Sequence, residues 1–76
     1  MHSPAPADRS RLDDLFVIAL RRARSDFLEI PGLQLTPAQG ARLWAFELEL
    51  CREVFEALVA TRFLIRTSGS MFARMP

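Results

Sequence analysis

The sequence predicts a small, mainly α-helical domain that ends in a β-hairpin. Two long segments place apolar residues every three or four positions, which is the spacing of a helix face. A capping-box pattern opens a shorter helix between them. The last segment is rich in β-forming residues and is interrupted by Ser-Gly-Ser. The 76 residues suffice for one domain, which we place at residues 8–76 after a disordered tail at residues 1–7.

The first helix is predicted over residues 8–29. Pro31 disfavours the helical conformation at the preceding residue and Gly32 permits a sharp turn, so the helix ends there. Val17 and Ile18 lie outside its apolar stripe. Either other elements of the domain cover them or they form a second contact face, and the second alternative predicts a homodimer through the first helix. The stripe consists of Leu12, Leu15, Phe16, Ala19, Leu20, Ala23 and Phe27.

The second helix is predicted to begin after Thr36. The Thr36 hydroxyl can accept a hydrogen bond from the Gln39 amide, the Gln39 side chain can accept one from the Thr36 amide, and Pro37 stands where no N–H is needed. Gly40 is unfavourable inside a helix by about 1 kcal/mol, so it indicates a close approach of another backbone. The preceding Leu-Gln-Leu is too short for an independent strand and is expected to pair with the later hairpin. The candidates for burial are Ala41, Leu43 and Trp44.

A third helix is predicted over residues 48–61, followed by the hairpin. Phe-Leu-Ile-Arg-Thr and Met-Phe-Ala-Arg-Met supply its two strands, and either Ser-Gly or Ser-Gly-Ser forms its loop. The buried face of the third helix carries Cys51, Val54, Phe55 and Leu58, with Leu48 and Val59 on its flank. We expect one shared core that includes Leu15, Phe16, Ala19, Phe27, Leu43, Trp44, Val54, Phe55, Leu58 and Phe63.

The order of these elements resembles that of a winged helix-turn-helix domain. Against the helix-turn-helix core of winged-helix bacterial regulators, Thr36 falls on the first-helix cap, Ala41 on the small residue where the helices cross, and Trp44 on the apolar residue before the turn. Phe63 and Leu64 fall on the start of the wing. Residues 27–74 are also similar to a group of small bacterial proteins of uncharacterised role with the pattern LEMPGL-LT-QAARLW. This second likeness implies a fold and no activity.

Three positions depart from the regulator pattern. Ala45 stands in the interhelix turn and Arg62 before the wing, where regulators usually carry glycine. Ala45 brings a modest strain if the turn needs a positive φ. Met71 follows the wing turn in place of a basic residue, so the wing tip lacks a typical phosphate contact.

The predicted recognition helix has the wrong charge for the major groove of DNA. Its entrance and exposed positions hold Glu47, Glu49, Glu53 and Glu56 against Arg52. Duplex DNA carries one negative charge per about 1.7 Å of its axis, so these carboxylates would be repelled. The whole chain has a net charge of +1, whereas dedicated nucleic-acid binders usually show a clear basic excess.

The resemblance implies a DNA-binding or transcription-related regulator, and the charges limit it to weak contacts with the phosphate backbone of double-stranded DNA. A helix start can bind phosphate through free amides, and arginines supply positive charge. The predicted DNA-binding residues are Thr36, Gln39, Arg42, Arg52, Arg62, Arg66 and Arg74. The alternative is a protein–protein interaction module that keeps the fold and presents Glu49, Glu53 and Glu56 to a basic protein partner.

Catalysis, cofactors and metal binding are not expected. The single cysteine, Cys51, falls on a buried helix face, and the single histidine, His2, falls alone in the tail, whereas a metal site needs three or four ligands. The longest apolar run has six residues, well short of a membrane span, and the N-terminus lacks an apolar signal-peptide core. The lack of catalytic candidates predicts a non-enzymatic protein. A lone cysteine fits a reducing compartment, so we expect the protein to be cytoplasmic.

Overall fold

The computed structural model describes the secondary structure of residues 4–76 and the side chains of residues 13–76. The elements are α1 Pro4–Glu29, β1 Gln34–Leu35, α2 Pro37–Trp44, α3 Leu48–Ala60, β2 Leu64–Arg66 and β3 Phe72–Arg74. This order confirms the predicted mainly α fold with a C-terminal hairpin, and it is compatible with a winged-helix-like arrangement.

The start of α1 differs from the predicted start at residue 8. The helix already begins at Pro4, so part of the predicted tail at residues 1–7 belongs to it. Proline is tolerated in the first turn of a helix, where the missing N–H would be unpaired in any case. Residues 1–3, with His2 among them, lie outside the described residues.

The three strands form an antiparallel sheet in the order β1-β3-β2. Gln34 pairs with Ala73, so β1 adds to the free edge of the hairpin, as predicted for Leu-Gln-Leu. Of the two predicted hairpin loops, the structure has Ser-Gly-Ser. This loop is closed by a hydrogen bond of 2.7 Å from the Thr67 amide to the Met71 carbonyl.

The core lies where α1 and α3 pack against each other and against the sheet. The Phe55 ring is at its centre, with ring centroids 5.9 Å from Phe27, 5.9 Å from Trp44 and 5.1 Å from Phe72. A Cβ at Gly40 would lie 2.9 Å from the Trp44 ring and 3.0 Å from the Phe55 ring, so the predicted close approach is made by aromatic side chains and not by a backbone. The buried residues are Ala19, Ala23, Phe27, Trp44, Cys51, Val54, Phe55, Leu58, Leu64 and Phe72.

The core prediction was wrong at two leucines. Leu15 is 42% exposed and Leu43 is 53% exposed. The buried residues of α1 are four positions apart, at Ala19, Ala23 and Phe27. A step of four residues rotates the side-chain direction by about 40° more than a full turn. One further step towards the N-terminus therefore turns Leu15 away from the packed side. Trp44 occupies the packed side of α2, and its neighbour Leu43 is turned about 100° away from it. Two further members of the predicted core are only partly buried, Phe16 and Phe63.

Two residues with positive φ bracket α3, and neither is glycine. Ala45 ends α2 with φ 58° and ψ 41°, and Arg62 follows α3 with φ 64°. A Cβ in this left-handed region costs roughly 1–2 kcal/mol. Ala45 and Arg62 therefore adopt the conformation that glycine would adopt at these two positions, and they do so at the cost of backbone strain.

Candidate nucleic-acid and protein interface

The start of α2, the exposed side of α3 and the hairpin enclose a groove, which we call the wing groove. In a winged-helix arrangement this is the side that would face DNA. Arg52 and Glu56 stand one helical turn apart on α3, and Arg66 stands on β2. Two predicted DNA-binding residues, Arg52 and Arg66, therefore meet here. The groove is lined by Pro37, Arg52, Glu56, Arg66, Ser70 and Phe72.

Both arginines of the wing groove are paired with glutamates of α3. Arg66 Nη2 donates a hydrogen bond to Glu56 Oε2, while the Arg66 guanidinium lies 5.2 Å from the centre of the Phe72 ring. Arg52 Nη1 lies 3.9 Å from Glu49 Oε2. All four side chains of these pairs are more than half exposed, so each pair stabilises the fold by at most about 1 kcal/mol. The two pairs matter more for binding than for stability, because the glutamates already neutralise the positive charges that would attract phosphate.

The start of α2 has little capacity left for an anion. Its capping box is formed as predicted: the Gln39 amide donates to Thr36 Oγ1 at 3.1 Å, and the Thr36 amide donates to Gln39 Oε1 at 2.9 Å. The Gly40 amide donates to the Thr36 carbonyl at 2.9 Å, and Pro37 has no N–H. Within this first turn, the Ala38 amide is left to bind a phosphate oxygen.

A second group of arginines lies at the base of the hairpin. The Arg24 guanidinium is 5.0 Å and the Arg74 guanidinium 5.7 Å from the centre of the Phe63 ring, and Arg62 directly precedes that ring in the chain. Within residues 13–76 none of these three arginines forms an ion pair, in contrast to Arg66. We call Arg24, Arg62 and Arg74 the arginine cluster.

The predicted DNA-binding residues therefore do not form one site. Thr36, Gln39, Arg52 and Arg66 belong to the wing groove and its α2 border, Arg62 and Arg74 belong to the arginine cluster, and Arg42 is exposed on α2. Sequence reasoning missed Arg24, because its neighbour Phe63 is far along the chain and no local pattern joins them.

A third surface lies between α1 and the start of α3, and we call it the acidic groove. Glu47 stands at the N-cap of α3, and Glu49 lies in its first turn, where the helix dipole favours negative charge. Phe16 and Leu50 are partly buried against the core and give the groove an apolar floor. Of the predicted protein-binding residues, two lie here, whereas Glu56 belongs to the wing groove. The groove is lined by Asp13, Phe16, Glu47, Glu49, Leu50 and Glu53.

Asp13 and Phe16 were not predicted as part of any site. Both lie on α1, and they meet α3 only through the packing of two helices that are distant in the sequence. The stripe pattern of α1 predicts which side packs, but it does not say which part of α3 lies opposite.

The structure bears on two possible reactive features, a thiol and a metal site. Burial raises the pKa of the Cys51 thiol, whose residue is 1% exposed, so it stays a neutral core side chain as predicted. In the part of the chain that the structure describes, no group of three or more His, Cys, Asp or Glu residues is arranged to hold a metal ion. Among the described helices, none combines the length and the apolar character needed to cross a membrane.

No family model, no curated protein and no solved structure matches this chain. The resemblance to winged helix-turn-helix regulators and to the small bacterial proteins therefore stays a prediction from the sequence.

Proposed function

We propose that this chain is a protein-interaction module whose acidic groove binds a basic, amphipathic segment of a partner protein. The observation that carries this proposal is the pairing of Arg52 with Glu49 and of Arg66 with Glu56. Each pair cancels one carboxylate together with one arginine, so the acidity beside the first half of α3 comes from Asp13, Glu47 and Glu53, which form no ion pair within residues 13–76. A positively charged protein segment fits that side better than a polyanion does.

The acidic groove has the composition that a basic amphipathic segment requires. Four carboxylates surround the partly buried Phe16 and Leu50. Lysine and arginine side chains can lay their aliphatic stems on such an apolar floor while their charged ends reach the carboxylates. An apolar side chain of the partner then anchors the segment, and the carboxylates raise its association rate. Binding of this kind weakens as salt rises, because the charges are exposed.

Insertion of α3 into the major groove of DNA is disfavoured on the same grounds. It would bring Glu49, Glu53 and Glu56 towards phosphates, and the two arginines of the wing groove would have to leave their glutamates first. A single glutamate can accept a hydrogen bond from a cytosine amino group, but several carboxylates on one helix cannot be accommodated in this way.

Nuclear magnetic resonance titration of the labelled chain tests the proposal. One ligand is an amphipathic helical peptide of about 15 residues built from lysine, arginine and leucine, and the other is a mixed-sequence duplex of about 20 bp, each at about 50 mM and about 200 mM salt. We expect the peptide to shift the resonances of Phe16, Leu50 and Glu53, and to bind about tenfold more weakly to the variant Glu49→Gln/Glu53→Gln. The matched control is Glu29→Gln, an exposed carboxylate at the end of α1, which should bind the peptide like the parent.

The proposal fails if the duplex binds with nanomolar affinity and loses that affinity in Glu53→Gln, because the acidic helix would then read bases. It also fails if the peptide binds the control and the double variant equally, or does not bind the parent.

Backbone contact with duplex DNA is the second candidate function, and the arginine cluster is the observation that favours it. Arg24 and Arg74 bring two positive charges to one ring without a carboxylate among the described residues to match them. The duplex titration also tests this candidate. Arg24→Ala/Arg74→Ala should weaken binding alike on all sequences and reduce the salt slope by about 2. Arg22→Ala, which removes an arginine already paired with Asp26 at 3.7 Å, should leave binding unchanged.

A further inference from the structure

The outer side of α1 is an unpartnered helix face that combines apolar and charged residues. Four large apolar side chains of α1 are exposed within the described residues, and three of them share one side of the helix: Val17 is 44% exposed, Ile18 55% and Leu28 43%. At 100° per residue they lie opposite the side that packs on α3 through Ala19 and Ala23. We call this surface the outer face of α1, consisting of Asp14, Val17, Ile18, Arg21, Ser25 and Leu28, all exposed.

The outer face of α1 is self-complementary in charge when two copies run antiparallel. Asp14 precedes Val17 and Ile18 by one turn, and Arg21 follows them by one turn. In an antiparallel pair centred between Val17 and Ile18, Asp14 of each copy lies opposite Arg21 of the other. A parallel pair would instead set aspartate against aspartate and arginine against arginine, which is repulsive.

We propose that two copies of this chain form a symmetric dimer through the outer face of α1, with the helices antiparallel and Ile18 close to the two-fold axis. The arrangement buries Val17 and Ile18 of both copies and matches both charged ends of the face. It is an isologous contact that closes on itself, the commonest geometry of homo-oligomers.

The charge pattern selects a second copy over other occupants. A nucleic acid or an anionic membrane would meet Arg21 favourably but Asp14 unfavourably, and a basic segment would meet the reverse. A copy of the same face satisfies both residues with one orientation. Because α3 packs on the opposite side of α1, the dimer leaves the exposed side of α3 and the hairpin open in each copy.

Sedimentation equilibrium of the full chain at about 100 µM, a concentration suited to a small interface, tests the proposal. We expect the parent to sediment as a dimer and Ile18→Glu to weaken the association by about 100-fold or more, because the substituted residue occurs twice at the axis. Leu43→Glu is the matched control, since Leu43 is 53% exposed on α2, and it should remain dimeric. A monomeric parent, or equal dissociation of the two variants, would overturn the dimer.

A charge exchange tests the orientation of the helices. Asp14→Arg and Arg21→Asp should each be monomeric at this concentration, since each places like charges opposite one another in the antiparallel pair. An equimolar mixture of the two variants should recover the dimer, because every contact then joins an acidic to a basic residue. Dimerisation of either variant alone, or a mixture that stays monomeric, rejects the antiparallel pairing.

Discussion

The two ends of α3 meet different neighbours. Glu47 and Glu49 stand at its start and line the acidic groove, whereas Phe63 follows its end and carries the Arg24 and Arg74 guanidinium groups on its ring. The glutamates at the start favour the helix itself, because carboxylates near the N-terminus complement its dipole, whereas the last turn holds no basic residue. Under the two proposed functions, a basic protein segment would bind beside the start of α3, and a phosphate contact would use the arginines beyond its end.

The aromatic residues that adjoin these two ends also differ in their burial. Trp44, before α3, is buried, contacts Phe27 and Phe55, and donates a hydrogen bond of 2.7 Å from Nε1 to Asp26 Oδ2. Phe63, after α3, is only partly buried and supports two guanidinium groups. Because Leu58 and Leu64 are buried, the core reaches both ends of α3, and the difference between the ends lies in the burial of Trp44 and Phe63.

The largest expected effect follows from this difference in burial. Trp44→Ala should destabilise the fold by about 3–5 kcal/mol, since it leaves a cavity and removes the partner of Asp26. Phe63→Ala should cost about 1–2 kcal/mol, because part of that ring is already in contact with water. Urea unfolding followed by circular dichroism measures both. A loss of this size can unfold a small domain entirely, so Trp44→Phe, which keeps most of the packing, supplies a measurable intermediate.

The reverse order of these losses, with Phe63→Ala more damaging than Trp44→Ala, would mean that the arginine cluster stabilises the domain more than the aromatic core does. The residues after α3 would then contribute more to stability than the residues before it.

Local signals in the sequence predicted the start of α2 in detail. The capping box of Thr36 and Gln39 depends on residues three apart, so the pattern contains all that is needed to form it. The hydrophobic period likewise predicted the burial of Val54 and Leu58. A period gives the direction of a helix face but not its width, and Leu15 was therefore misplaced.

The candidate sites could be predicted only in part, because each depends on contacts between distant segments. The glutamates of α3 are visible as a charged face, but their neighbours Asp13 and Phe16 come from α1. The pairing of Arg66 with Glu56 depends on how the hairpin packs against α3, and it removes a charge that the sequence had assigned to DNA. Such pairings follow from tertiary packing, which single-sequence patterns do not encode.

Glycine substitutions at Ala45 and Arg62, the two residues of positive φ that bracket α3, should change stability by an intermediate amount. Ala45→Gly should stabilise the fold by about 0.5–1 kcal/mol, because glycine adopts the observed φ of 58° without a Cβ clash and part of the gain is lost to unfolded-state entropy. Arg62→Gly should gain less, since it also removes a positive charge at the C-terminal end of the helix. Thermal unfolding measures both as a rise in Tm.

The control for these substitutions is Ala60→Gly at the exposed end of α3, where the backbone is helical and glycine should cost up to about 1 kcal/mol. If Ala45→Gly destabilised the chain as Ala60→Gly does, the left-handed conformation at Ala45 would not be a source of strain.

The smallest expected effect concerns the carboxylates at the start of α3. Glu49→Gln should cost no more than about 0.5 kcal/mol, since the exposed side chain contributes only a dipole interaction and a pair with Arg52 at 3.9 Å. The loss should disappear in about 1 M salt, where the Debye length is near 3 Å. Urea unfolding at low and high salt measures it. This small value matters for function. If each exposed carboxylate costs so little, the double variant Glu49→Gln/Glu53→Gln remains almost as stable as the parent, and its loss of peptide binding must arise in the acidic groove itself. If Glu49→Gln destabilised the fold by more than about 2 kcal/mol, these carboxylates would belong to a network that holds α3 in place. Weaker peptide binding by the variant would then no longer be evidence that the acidic groove is a binding surface.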